Sequence, residues 1–495
     1  MYVEEIRRSV NTTLPTNNFW SYLISQKKII LFALCISAVC FILLKYCFPY
    51  PDFFIDSTSY VEWAVHNYEV DYRPVGYSQF LRLVHQISPN SLFTVFIQYV
   101  LFFLSSLFCL FSIDYLFRIG ERLKLLLMIV VLINPILILQ ANLISSDSLF
   151  CSLTVVWFTL CLWIIKKQNW WALFLQLLVL YLNFEVRYTA LFYPVASSLA
   201  FVLCPAKLKY KFIGIALTLV TILVFINRQK DLIEEKTGTR VFSGFAGWQI
   251  ANNVLYCYKN IDIAANDLPS KDLQVIDQYV KRYIDTIENE PGFVGTQYMW
   301  DRRSPLKQYQ YMVMKSTREI YIKAWFIVSK PFNEYGWYII RNYPKEFLRY
   351  YIMPNTKNYF YPGLEALASY NASTGPLPAE TKEWFDFDTD NLNCRYAHIQ
   401  ESTMILYPSI SLILNVFNIA AIFLFLFRAL RTRKKMSGDI WRLFLFWSVF
   451  YFAFMAFIIF ATPIVLRYLD PIFILGFVLP FPLLSYIWPA KHQKL

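Results

Sequence analysis

Charge is scarce in this chain: Asp, Glu, Lys and Arg make up 16% of its 495 residues, against 57% hydrophobic ones. Soluble globular domains carry about a quarter charged residues, so the composition is that of a polytopic membrane protein. Glycine is scarce too, at 13 residues, and none builds a phosphate-cradling loop. The closest pair, Gly244 and Gly247 in Phe242-Ser-Gly-Phe-Ala-Gly-Trp248, lacks the Lys-Ser/Thr ending such a loop needs. ATP-driven work by this chain alone is therefore not expected. Four scattered histidines supply no pair at metal-binding spacing. His66 follows Glu62 by one helical turn, a spacing commonplace on solvated helices. Asp386-Phe-Asp388-Thr-Asp390 alternates acids as calcium loops do but lacks the glycine and closing Glu, and reads as a solvated turn. No cofactor is firmly expected; a divalent metal stays possible, without a clear ligand motif to support it.

What the chain has in quantity is long apolar runs. About ten can be placed, the fifth somewhat short for the length that crosses a bilayer: Ile29 to Cys47, Leu92 to Phe117, Leu125 to Leu139, Asp147 to Ile165, Trp170 to Leu182, Arg187 to Cys204, Phe212 to Ile226, Thr403 to Phe427, Trp441 to Phe460, and a last one to Trp488. Residues 1 to 28 are too polar for a cleaved leader, so the first run is expected to stay as an anchor. Lys and Arg total 46 against 34 acids, a net +12. The basic clusters at Arg7, Arg8, Lys27 and Lys28, then Arg118 to Lys124, Lys166-Lys167, Lys207 to Lys211, Arg428 to Lys435, and Lys491 with Lys494 all fall on one side of the ten-span pattern. They serve as topology signals, and no nucleic-acid partner is implied. Both termini are expected in the cytoplasm. The expected divisions are a cytoplasmic N-terminus (1–28), an N-terminal membrane module (29–227) with its first outer loop at 49–90, an outer segment (228–402), C-terminal membrane helices (403–488) and a short tail (489–495).

The outer segment carries apolar residues at helical spacings over Leu273 to Glu288, Leu306 to Ile327 and Phe332 to Ile352. These helices either lie in the membrane interface or pack as a compact domain. Cys257 and Cys394 are the two cysteines outside the apolar runs; in an oxidising compartment they could pair, and otherwise they are unrelated thiols.

The chemistry is sought at the outer ends of the spans, where Asp52, Asp56, Arg73, Asp147, Glu185, Arg187 and Arg467 gather. Charges beside hydrocarbon are costly, and seven of mixed sign suggest a polar cavity. An acid able to take a proton, with arginines able to grip phosphate by paired hydrogen bonds, suits displacement of a phosphate leaving group. Plainer roles stand beside these. Asp56 or Ser57 suits the N-cap of a helix over Ser57 to Tyr68, Asp147 the cap of the fourth span, Arg467 an interfacial anchor, and Arg187 a local partner of Glu185.

Asp56-Ser-Thr-Ser-Tyr60 followed by Arg73-Pro-Val-Gly-Tyr77, Asn134-Pro135 before Ser145-Ser-Asp147-Ser-Leu, Glu185-Val-Arg187-Tyr-Thr-Ala190 and Arg467-Tyr-Leu-Asp-Pro471 occur in this order. Together they resemble the GT-C-type integral-membrane glycosyltransferases, the group that includes protein O-mannosyltransferases and the lipid A aminoarabinose transferase. The resemblance covers roughly residues 28 to 230 and 440 to 485. It implies an all-α polytopic bundle of about ten transmembrane helices, at most about eleven to thirteen, in a bacterial inner membrane, with a mainly helical periplasmic segment. That family often has a paired Asp-Glu in the first loop; here Asp56 precedes Ser57, so a carboxylate pair would have to involve Asp52.

The implied activity is inverting transfer of one sugar from a polyprenyl-phosphate donor to a hydroxyl of a lipid, glycan or protein acceptor. Asp56 is expected as the base, with Asp52, Tyr60 and Asp147 supporting it or orienting the acceptor. Arg467, Arg187 and Arg73 are expected to hold the donor phosphate. A transporter or flippase of a lipid-linked saccharide, or a surface-polysaccharide polymerase or ligase, could use the same cavity.

Overall fold

The computed structural model describes residues 18–264, 267–286, 294–371, 376–389, 392–432 and 437–487. Arg7, Arg8, Glu288, Asp390, the basic run Arg433 to Lys435 and the tail from Trp488 lie outside the described residues. The first half of the chain forms α1 (Phe19–Ser25), α2 (Lys27–Cys47), α3 (Ile55–His66), α4 (Gly76–Ile87), α5 (Ser91–Phe117), α6 (Glu121–Leu132), α7 (Pro135–Asn142), α8 (Ser146–Lys166), α9 (Trp170–Val186), α10 (Tyr193–Leu203) and α11 (Leu208–Thr237). The hydrophilic segment contributes α12 (Gly244–Leu255), α13 (Lys271–Thr286), α14 (Pro305–Thr317) and α15 (Tyr321–Asn342). The chain closes with α16 (Ala397–Met404), α17 (Tyr407–Thr432), α18 (Gly438–Ala461), α19 (Asp470–Val478) and α20 (Pro480–Ile487).

The protein is an all-α polytopic membrane protein. Among the described residues, seven helical stretches are long and apolar enough to cross a bilayer, or eight if α6 and α7, bent by 42°, count as one span. The bend has a local cause: Asn134 is extended before Pro135, whose ring blocks the continuing helix. The fifth and sixth apolar runs form shorter helices, α9 and Tyr188–Leu203. α8 is the axis of the bundle, with 89% of its apolar window buried against 17% for α2. It packs on α5, α9, α10, α18 and α19, and Trp157 stacks on Tyr193 at 4.2 Å in its core.

The hydrophilic segment builds a second core of its own around Trp248, Trp325, Phe332 and Tyr335, so its aromatic faces turn inward. α12 lies flush on α15 because a side chain at Gly247 would sit 1.8 Å from the Ser329 carbonyl oxygen. The Gly244 and Gly247 pair is thus a helix-packing seam. The helix boundaries differ from those expected from spacing. Arg318, in the left-handed region at φ 57, ends α14, and α15 continues through Pro331. Burial of Trp325, Phe332 and Tyr335 along one face outweighs the local helix-breaking signal. Cys257 and Cys394 are both free thiols, so the possible disulfide does not form.

Among the described residues there are no strands, only two isolated backbone bridges, Asp52 with Leu143 and Gly363 with Val465. Each ties a loop to the start of a membrane helix, one beside Asp147 and the other beside Arg467.

Candidate functional site

The first bridge places α3. Ser57 accepts a hydrogen bond from the Phe54 N–H at 3.0 Å and donates to the Ile144 carbonyl at 2.7 Å. Phe54, not Asp56 or Ser57, is the N-cap residue, and the helix begins at Ile55. Asp56 is left in the first turn with its carboxylate free to meet cations. Arg73 reaches one oxygen at 2.9 Å and Arg467 the other at 3.4 Å. Burial pushes the Asp56 carboxyl up, but Arg73, Arg467 and Arg187 outweigh it and hold the group below the usual range.

Asp147 opens α8. Ser145 caps that helix, accepting from the Asp147 N–H at 3.3 Å, and its hydroxyl also donates to the Asp147 carboxylate. The Asp147 side chain is therefore not the cap. It pairs with Arg187 on one oxygen and with Arg467 Nη1 at 3.1 Å on the other. The second bridge brings in a residue that sequence reasoning missed: the Leu466 N–H donates to the Gly363 carbonyl at 2.9 Å, which sets Glu365 against Arg467 Nε at 2.7 Å. Arg467 so joins three carboxylates from three distant segments and is only 6% exposed, deeper than an interfacial anchor.

Aromatic rings flank the guanidinium groups. Tyr468 lies against Arg187 and Arg467, at 4.8 and 4.9 Å from ring centre to guanidinium carbon. Phe54 covers Arg467 at 4.8 Å. Tyr60, Trp63 and Tyr72 surround Arg73 at 5.2, 5.4 and 5.0 Å. Arg73 also donates to the Tyr72 hydroxyl at 2.9 Å and to Ser59 at 3.2 Å. Such contacts favour a cation away from water. The cavity bounded by Asp147, Phe150, Arg187, Arg467, Tyr468 and Asp470 measures about 10 Å³, room for about one water.

Of the expected residues, Asp56, Asp147, Arg73, Arg187 and Arg467 converge. Tyr60 stands one layer behind, its hydroxyl 3.0 Å from Ser146 and its ring against Arg73. Asp52 belongs elsewhere. It accepts from the Asn371 N–H at 2.7 Å and from Gln400 at 3.0 Å, so it pins the late outer segment to the first loop and forms no pair with Asp56. Burial pushes its carboxyl up to about 7, against the lowering effect of Gln400, Asn371 and the Phe53 N–H. Glu185 meets Arg228 rather than Arg187, because Arg187 is extended at the end of α9 and turns to Asp147. Tyr72, Tyr468 and Asp470 flank expected residues in sequence and were legible by adjacency. Glu365 had no such signal.

Among the described residues, no group of three or more His, Cys, Asp or Glu side chains is placed to hold a metal ion. His66 pairs with Glu380 at 3.2 Å, and Asp386 is the left-handed C-cap of the helix Ala379–Phe385. What the cluster can do is bind an oxyanion through guanidinium groups while a carboxylate stands beside it. No protein-family model, curated protein or solved structure matches the chain. The fold and site therefore define a class only: a multi-pass helical membrane protein with a buried arginine–carboxylate cluster where its membrane helices meet a hydrophilic segment.

Proposed function

We propose that the chain is an inverting glycosyltransferase that moves one sugar from a polyprenyl-phosphate donor to a hydroxyl of a lipid, glycan or protein acceptor. The membrane is a bacterial inner membrane, with both termini cytoplasmic and the cluster on the outer face. The observation that carries this proposal is the sharing of Arg467 between Asp56, Asp147 and Glu365 at the head of the membrane helices.

In the proposed reaction the acceptor oxygen attacks the anomeric carbon and the bond from that carbon to the phosphate oxygen breaks. The electron pair leaves with the phosphate, and Asp56 takes the acceptor proton. Arg467 and Arg187 stabilise the charge growing on the phosphate, while Asp147 keeps both arginines aimed. The low basicity that two arginines impose on Asp56 is relieved in the same event. Once phosphate engages Arg467, Asp56 keeps Arg73 but loses its second counter-ion, and its affinity for a proton rises.

Asp56→Asn should lower transfer by about 10²- to 10⁴-fold, the usual range for a general base. The check is transfer from a polyprenyl-phosphate sugar by purified protein; near-normal transfer would remove the base assignment. A flippase would still move the lipid in that variant.

A further inference from the structure

The three carboxylates on Arg467 are held with unequal firmness. Asp147 is 1% exposed and is also gripped by Arg187 and Ser145. Asp56 is 23% exposed and shared with Arg73. Glu365 is 44% exposed, and Arg467 Nε is its only ion-pair partner among the described residues. It rides on a short helical turn with its own backbone at φ 47, and the Leu466 to Gly363 hydrogen bond joins that turn to the arginine's segment. The cluster is balanced as it stands, with Arg73, Arg187 and Arg467 in direct pairs with Asp56, Asp147 and Glu365. A phosphate docking there adds negative charge in a buried place, where like charges repel strongly. One carboxylate has to leave. Asp147 would strand Arg187, and Asp56 would strand Arg73. Glu365 strands only the edge of Arg467 that the phosphate would occupy, and it is the one nearest to water.

We propose that Glu365 is an internal stand-in for phosphate: it covers the Nε edge of Arg467 and swings out when the phosphate of a polyprenyl-phosphate ligand takes that edge. This rests on the glycosyltransferase reading for the identity of the ligand, and it adds the subsite and the group that guards it. Because carboxylate and phosphate compete for one guanidinium, neutralising the carboxylate should tighten binding.

The test is titration of the purified full-length protein with undecaprenyl phosphate. Glu365→Gln, an isosteric change at a half-exposed position, should bind roughly fivefold tighter than wild type, the scale of a partly exposed ion pair removed. Glu365→Ala should gain similarly. Glu380→Gln, which removes an acid paired with His66 outside the cluster, should leave affinity unchanged. Unchanged or weaker binding by Glu365→Gln, with normal binding by wild type, overturns the stand-in and leaves the glycosyltransferase reading intact. An equal gain in Glu380→Gln also overturns it, since the effect would then be long-range charge. Absence of binding in wild type and variants alike takes down the glycosyltransferase reading and the stand-in together. Inorganic phosphate binding as tightly as the lipid would overturn the assignment to a lipid headgroup.

Discussion

Two buried charge clusters sit at opposite ends of the membrane bundle, and they are built differently. At the end away from the hydrophilic segment, Lys124 bridges Asp114 at 2.7 Å and Gln26 at 2.7 Å, and the Tyr22 hydroxyl donates to the same carboxylate. One cation meets one acid, with neutral donors and acceptors completing both. At the other end, Arg467 is divided among three acids, and among the described residues Arg73 Nε has no partner while Asp470 Oδ2 and Gln140 Oε1 are buried without a hydrogen bond. Buried polar atoms are nearly always paired. Where a fold leaves several unpaired around competing charges, it has kept an arrangement that stability alone does not favour. The first cluster is a clamp that joins α1, α5 and α6, whereas the second is poised to exchange partners.

That contrast can be broken or sharpened experimentally. The largest expected effect is on the clamp. Lys124→Ala leaves Asp114 buried without its cation and should cost about 3–5 kcal/mol of stability, read as a lower melting temperature in detergent, with lipid-phosphate binding preserved. Loss of binding in that variant would make the two clusters one system. A smaller effect is expected at the exchanging cluster. Tyr72→Phe removes one charge-assisted hydrogen bond from Arg73 and should cost about 2 kcal/mol, while the Arg73 pair with Asp56 persists; a cost near that of Lys124→Ala would show that the second cluster is also a rigid clamp.

A further effect, read as a slope against pH and not as a single cost, concerns Asp52, whose folded-state value of about 7 stands above its ordinary 3.8. A raised carboxyl favours the folded state below the unfolded value and loses that contribution as pH rises through the folded one. Wild type should therefore lose stability between pH 5 and about 8 through this group, and Asp52→Asn should flatten that slope. Equal slopes in melting curves would remove Asp52 from the pH response.

Asp52 and Asp56 also mark how far the sequence could be read. Both are acids just past the first apolar run, and the spacing to Tyr60 and Arg73 singles out Asp56 while leaving Asp52 beside it as a supporting acid. The difference comes from Asn142 to Ile144, which bind the Asp52 backbone and the Ser57 hydroxyl, a register set about ninety residues away. The apolar runs were legible because hydrocarbon length and basic flanks are local properties, and each run folds as helix. Asp147, Arg187 and Arg467 were legible because each begins or ends an apolar run, where a charge must find a partner. Glu365 was not, since it lies in a short turn, Gly363-Leu-Glu365-Ala-Leu367, far from either end of any long apolar run. Its place depends on one backbone hydrogen bond across about a hundred residues. The expected boundary between Ile327 and Phe332 fails for the opposite reason: Pro331 is a strong local signal that packing overrides, and the break falls instead at Arg318.

The most direct measurement compares the melting shift that a polyprenyl phosphate produces in wild type, Lys124→Met and Arg467→Met. A ligand that binds only the folded state raises its melting temperature by an amount that grows with the logarithm of ligand concentration over Kd. If the Arg467 cluster holds the phosphate, wild type and Lys124→Met should shift by the same amount, from different starting points, and Arg467→Met should not shift. An equal shift in Arg467→Met would contradict the division between a clamp at one end and a phosphate site at the other.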